Sequence, residues 1–145
     1  AVCRNGCFDV AGLLVAVIMQ LYAATVQIHN RLAVLGDMTL AAQSLARDVN
    51  SAAVAVVSDA HHLTLTQPAW EGGAARTVSY EVSPPLLLRS DSSGQTQIAR
   101  YVQAGTSFGE AGTVTGTQLL SIRLISSLGQ ETQTTTIQLG LRPQP

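Results

Sequence analysis

Residues 10–26 read VAGLLVAVIMQLYAATV and contain neither a charged residue nor a proline. As a helix, the stretch is apolar on every side, interrupted by Gln20, Tyr22 and Thr25. At about 1.5 Å of rise per residue it spans roughly 25 Å, which is enough to cross a bilayer when the flanks help. The flanking basic residues are too few to decide an orientation in the membrane.

The start of this helix carries a capping signal. Asp9 precedes the apolar stretch, and an aspartate side chain accepts hydrogen bonds from the first free N–H groups of a helix and suits the positive end of its dipole. We therefore predict that the helix begins at Val10.

Beyond Ile28 the pattern becomes one-sided and is predicted to remain helical until about Val57. Apolar residues recur at intervals of three and four, which is the spacing of a single buried helix face. The members of this stripe are Leu35, Met38, Ala42, Leu45, Val49, Ala52 and Val56. The polar residues Asp37, Gln43, Ser44, Arg47, Asp48 and Asn50 are expected largely elsewhere on the helix. The stripe predicts that this half packs on a sheet.

After residue 57 the period of the apolar residues changes from 3.6 to 2, which is typical of strands. Strands are predicted at 62–67, 76–82, 86–89, 97–102, 118–126 and 134–142, separated by short turn-forming clusters. Short connections favour antiparallel neighbours, so we expect a meander of four to six strands. Its apolar face is predicted to comprise Leu63, Leu65, Val78, Tyr80, Val82, Ile98, Val102, Ile122, Leu124, Ile137 and Leu139. The glycine- and threonine-rich residues 105–116 are predicted to form a flexible connection that could meet a partner.

The predicted fold class is α+β, with one long N-terminal helix packed on a small antiparallel sheet. Residues 1–30 form the apolar helix, an anchor or filament core, and residues 31–145 form a globular domain. That domain comprises the amphipathic helix half 31–57 and the sheet 61–142.

Composition and motifs narrow the function. The 145 residues carry a net charge of -1 with 12% charged residues, so no basic field is present to hold nucleic acid directly. Cys3 and Cys7 are the only cysteines and the histidines are scattered, so we predict neither a metal nor a cofactor. No nucleophile elbow, phosphate-binding loop or dinucleotide fingerprint occurs, and we expect no catalysis.

The order of five segments resembles the type IV pilin superfamily. They are LLVAV (13–17), LARDVNSA (45–52), TVSYEV (77–82), PLLLR (85–89) and QLLSIRLI (118–125). Within that superfamily the chain is most similar to the minor pilins and pseudopilins of pili, type II secretion and competence systems.

The resemblance implies a structural subunit of the cell envelope. The apolar helix would hold the unassembled subunit in the cytoplasmic membrane and then pack against other subunits in a periplasmic or extracellular filament. The implied assembly residues are Asp9, Leu13, Leu14, Val17, Ile18 and Leu21. The implied partners are other pilin or pseudopilin subunits, in a homo- or hetero-oligomeric filament.

The N-terminus departs from the family pattern, in which a glutamate occupies the fifth position of the processed chain. If Cys7 were first, Ala11 would be fifth, and if Phe8 were first, Gly12 would be fifth. The departure is compatible with a minor or tip subunit. Two alternatives remain open at this stage: a secreted or membrane-anchored β-rich binding domain with a signal-like N-terminus, and a viral or phage coat-like subunit.

Overall fold

The computed structural model describes residues 3–69, 73–114 and 117–141, and their side chains from residue 11 onward except that of residue 114. Over these residues the fold is α+β, as predicted: one long helix packs on antiparallel sheets. The helix is α1 (Cys3–Ser51), and the strands are β1 (Val54–Asp59), β2 (His62–Gln67), β3 (Arg76–Ser83), β4 (Leu86–Asp91), β5 (Gly94–Ala99), β6 (Ser107–Val114), β7 (Thr117–Leu128) and β8 (Glu131–Gly140).

Both predicted ends of the helix are wrong. The helix begins at Cys3, so Asp9 lies inside it and is not its cap. An N-cap contributes only about 1 kcal/mol, and no proline precedes Asp9 to stop the helix from extending further. At the other end α1 stops at Ser51.

Residues that the stripe assigned to the end of the helix form strand β1 instead. Its valines favour an extended backbone. The N–H of Ala53 donates to the carbonyl of Thr66 at 2.9 Å, and Val56 pairs with Thr64 of β2. Pairing with a neighbouring strand therefore overrides the helical spacing of Ala52 and Val56.

The strands form two sheets, where the sequence predicted one. In the described residues, a five-stranded antiparallel meander has the order β1-β2-β3-β4-β5 and a three-stranded one has the order β6-β7-β8. The predicted flexible connection at residues 105–116 is wrong over its larger part, because it contains β6. Phe108 is buried opposite Ile122 of β7, and that contact holds the segment in the sheet.

The inner face of α1 joins the two sheets in one core. Its buried apolar residues are Val34, Met38, Ala41, Leu45 and Val49. The predicted period is confirmed at Met38, Leu45 and Val49, whereas Leu35 is exposed. The predicted sheet face is confirmed in full, since all eleven of its residues are buried or partly buried.

Two aspartates on this inner face contradict the prediction that the polar residues lie elsewhere. Asp48 is buried, and it accepts a hydrogen bond from the Tyr80 hydroxyl of β3 and one from Arg89 Nε of β4 at 2.7 Å. Burial raises the pKa of Tyr80, and so does its hydrogen bond to Asp48, so the phenol keeps its proton and remains a donor. Asp48 thereby ties α1 to the five-stranded sheet.

Asp37 makes the matching connection eleven residues earlier on the helix. Its carboxylate is buried and accepts hydrogen bonds from the backbone N–H groups of Arg100 at 2.9 Å and Tyr101 at 3.1 Å. The hydroxyl of Ser126 on β7 donates to it at 3.3 Å. Asp37 therefore ties α1 to the segment after β5 and to the three-stranded sheet.

We predict that Asp48→Asn lowers the free energy of unfolding by about 3 kcal/mol, because it leaves Arg89 largely buried without its main counter-charge. Urea unfolding of the full chain in detergent micelles, followed by near-ultraviolet circular dichroism, measures the loss. Arg47→Gln is the control: Arg47 is the next residue on the helix, is 70% exposed and lies 3.8 Å from Asp48. The control should change stability by less than about 0.5 kcal/mol, and equal losses in the two variants would contradict the prediction.

Candidate assembly and membrane surface

The N-terminal part of α1 extends beyond the sheets and is not covered by other described parts of the chain. Every residue from 11 to 29 is exposed in the described structure. The first hydrogen bond between the helix and the sheets joins Gln27 Nε2 to Glu131 Oε1 at 3.1 Å. Tyr22, Ala23 and Val26 lie beside the β7–β8 turn, and the residues before them stand free of the β-domain, which we define as residues 52–141.

The assembly residues named from the sequence lie on this free part. Leu13, Leu14, Val17, Ile18 and Leu21 have exposed fractions between 43% and 68%. Asp9 belongs to the same helix, but its side chain lies outside the described ones. Exposure of this many large apolar side chains in one place is unusual on a protein surrounded by water and marks a membrane or protein contact.

The length and composition of the free part suit a membrane. Among the described residues, α1 contains an 18-residue stretch that is apolar enough to cross a bilayer, and none of that stretch is buried within the protein. A core helix of a soluble domain would be covered by its own chain. The structure is therefore compatible with membrane anchoring through the N-terminal half of α1.

A second apolar feature runs along α1 on the side away from the sheets. Eight residues follow one another at intervals of four, three, four, three, four, three and four, and all are exposed. They are Leu14, Ile18, Leu21, Thr25, Ile28, Leu32, Leu35 and Thr39, and we call them the outer seam. At about 100° per residue, Leu35 and Thr39 of the seam lie about 100° around the helix from Val34 and Met38 of the inner face. This alternation is the repeat with which helices pack along one another.

The two threonines of the outer seam have their hydroxyl groups satisfied within the helix. Thr25 Oγ1 donates to the carbonyl of Leu21 at 2.7 Å, and Thr39 Oγ1 donates to the carbonyl of Leu35 at 2.8 Å. A neighbouring helix can therefore exclude water from the outer seam without leaving a buried hydroxyl group unpaired.

The sequence prediction found the first three seam residues but missed the seam as a unit. In the apolar half the seam is hidden because apolar residues occupy every side of the helix. Further on, the inner-face stripe has nearly the same spacing, so the pattern alone does not show that a second face is apolar. The signal available in the sequence was the unbroken alternation of fours and threes from Leu14 to Leu35.

Among the described residues of the β-domain, no group of three or more His, Cys, Asp or Glu side chains could hold a metal ion. Cys3 and Cys7 have side chains outside the described ones. Comparisons with protein-family models, curated proteins and solved structures find no significant match. The fold and the exposed part of α1 are therefore the features that indicate a function.

An exposed ionic cluster marks the β1–β2 turn. His62 Nδ1 lies 2.8 Å from Asp59 Oδ1, and His62 Nε2 lies 3.6 Å from Glu81 Oε1. The hydrogen bond to Asp59 is the main cause that raises the pKa of His62. The pKa of Asp59 is lowered in turn, first by that bond and then by the N–H of His61.

We predict that Asp59→Asn lowers the pKa of His62 more than Glu81→Gln does, because the Asp59 hydrogen bond is its largest cause. Because the folded pKa is raised, the stabilisation that His62 contributes is complete below the unfolded value of about 6.5 and is lost as the pH rises through the folded value. Titration of the His62 ring protons by NMR measures both variants. A larger decrease in Glu81→Gln would contradict the assignment.

Proposed function

We propose that this chain is a structural subunit of a type IV pilus-like filament or secretion pseudopilus, and that it assembles through α1. The observation that carries the proposal is the outer seam, which is exposed and separate from the helix face that packs on the sheets. A helix that served only as a membrane anchor would need exposed apolar side chains only where it crosses the bilayer. The seam continues past that region, alongside the β-domain.

The distances along the helix support a packing role as well as an anchoring role. From Val10, where the apolar stretch starts, to His29 the helix rises about 29 Å, which matches one hydrocarbon layer. Leu32 and Leu35 lie beyond this span, where lipid does not reach them, and yet they are exposed. A neighbouring helix is the partner that matches a straight apolar seam of this repeat.

The proposal has two stages with the same helix. Before assembly, the N-terminal half of α1 lies in the cytoplasmic membrane. In the filament, the seam contacts the α1 helices of other subunits, and the β-domain faces outward in the periplasm or outside the cell. Neither stage requires a reaction, a cofactor or direct contact with nucleic acid.

We propose that Asp9 makes a polar contact between neighbouring subunits. It lies inside α1 among residues that the membrane or other helices would surround. A carboxylate in such a position is costly unless a donor from a neighbour approaches it. The departure from the family's glutamate pattern is compatible with a minor or tip subunit.

We predict that Leu32→Glu weakens self-association of the full chain in detergent micelles at least tenfold, because it places a charge in the outer seam. Leu40→Glu is the matched control, since Leu40 is exposed to 60% and Leu32 to 64%, but Leu40 lies off the seam. Analytical ultracentrifugation measures the association. Equal association of the two variants would contradict the assignment of the outer seam as the assembly surface.

We also predict that Ile18→Arg prevents stable membrane insertion, since an arginine near the centre of a spanning helix costs about 3 kcal/mol. Flotation of the full chain with lipid vesicles, followed by carbonate extraction, measures insertion. Val56→Arg serves as the control, because Val56 is a similarly exposed apolar residue on β1. Normal insertion and assembly of Ile18→Arg would contradict both stages of the proposal.

A further inference from the structure

The two sheets of the β-domain have four edge strands among the described residues. The five-stranded sheet ends at β1 and β5, and the three-stranded sheet ends at β6 and β8. An edge strand exposes backbone N–H and C=O groups that another strand can pair with, and proteins that avoid such pairing interrupt their edges. The presence or absence of such an interruption in each edge strand therefore indicates whether pairing is prevented there.

Three of the four edges are interrupted by a bulge on the edge strand itself. In β1 the register shifts between Val57 and Asp59, so Ser58 has no partner. In β5, Ile98 is the extra residue, because Leu87 pairs with Ala99 and Leu88 with Gln97. In β6 the extra residue is Ala111. A bulge twists an edge away and disrupts its row of donors and acceptors.

Strand β8 is the exception. Its ten residues pair with β7 from Leu128↔Glu131 to Leu119↔Gly140 without a register shift. It contains no proline, and its single charged residue, Glu131, is at one end. Strand β8 therefore has no bulge, no proline and no charge other than Glu131, and α1 packs against it.

The free backbone groups of β8 follow from its register. The N–H of Leu141 donates to Gln118 of β7, so every second residue before it also points its backbone groups toward β7. The residues between them point theirs away, and these are Thr132, Thr134, Thr136, Gln138 and Gly140. The four of these that have side chains larger than hydrogen are exposed. No hydrogen bond from the described residues reaches their outward backbone groups.

We propose that β8 is a docking edge to which an extended segment of another protein adds as a fourth strand. The occupant must be a strand, because only a strand offers donors and acceptors at the spacing of this edge. Its segment is uncharged and carries β-branched residues at alternate positions, since it would meet the threonines of β8 in cross-strand pairs.

A second copy of the chain fits this edge poorly. The other edges of a second copy are bulged, so its β8 is the one strand that could pair. Antiparallel pairing of two β8 strands places a two-fold axis perpendicular to the sheet and turns the two α1 helices in opposite directions. This step rests on the proposed function, because helices directed oppositely cannot enter one membrane together.

The test uses the full chain in detergent micelles and a synthetic probe, a ten-residue peptide that alternates valine and threonine with an arginine at each end. We expect the peptide to slow amide hydrogen exchange at Thr132, Thr134, Thr136 and Gln138 at least tenfold and to leave the residues between them unchanged. A peptide of the same length in which prolines replace the threonines should have no effect. Uniform protection, or none at saturating peptide, would overturn the proposal.

Thr134→Pro tests the edge directly. It removes an outward N–H while the hydrogen bonds to β7 stay intact, so peptide binding should be lost. Thr134→Val keeps the N–H and should bind normally. Should Thr134→Pro fail to fold by circular dichroism, Thr136→Lys places a charge at the same edge without a backbone change and should weaken binding at least tenfold. Unchanged binding by Thr136→Lys would count against the edge.

Two further measurements distinguish strand addition at β8 from helix association and from pairing with a second copy of the chain. Leu32→Glu, which removes helix association, should bind the peptide as well as the unaltered chain does. The edge proposal and the assembly proposal can therefore fail independently. A second copy would be favoured as the partner if the alternating protection arose without peptide and Leu32→Glu did not reduce self-association. That result would overturn the proposal that the partner is a different protein.

Discussion

Two buried carboxylates of α1 hold the helix in place on both sheets, and the remaining surfaces of the protein depend on that placement. A carboxylate that leaves water must be met by donors, or its burial costs several kcal/mol. Asp48 finds them on β3 and β4, and Asp37 finds them after β5 and on β7. Because hydrogen bonds are directional, these contacts set both the position of the helix along the sheets and its rotation.

The rotation of α1 determines which of its two apolar faces remains outside. A rotation of one residue, about 100°, would bring Leu35 toward the core and Val34 toward solvent. Apolar packing alone tolerates such exchanges when volume is preserved. With Asp37 and Asp48 bound to their donors the exchange is blocked, and the outer seam stays available to a neighbouring helix.

The two proposed contact surfaces differ in their chemistry. The outer seam is apolar, so its strength depends on the area that a neighbouring helix removes from water or lipid. The edge of β8 offers backbone donors and acceptors, which select an extended partner by geometry and not by area. A subunit with both surfaces could join a filament through its helix while its β-domain holds a different protein.

The sequence by itself determined the class of the fold, the apolar half of α1, the antiparallel strands and the sheet face of the core. These follow from local periodicity, since side chains repeat every 3.6 residues in a helix and every two in a strand. Tertiary contact decided the rest. It turned residues 54–59 into a strand, placed β6 in a second sheet, and made Asp37 and Asp48 buried anchors by supplying donors that are 32 to 89 residues away in the chain. It also showed the outer seam, because exposure depends on which face the sheets cover, and spacing alone does not specify that.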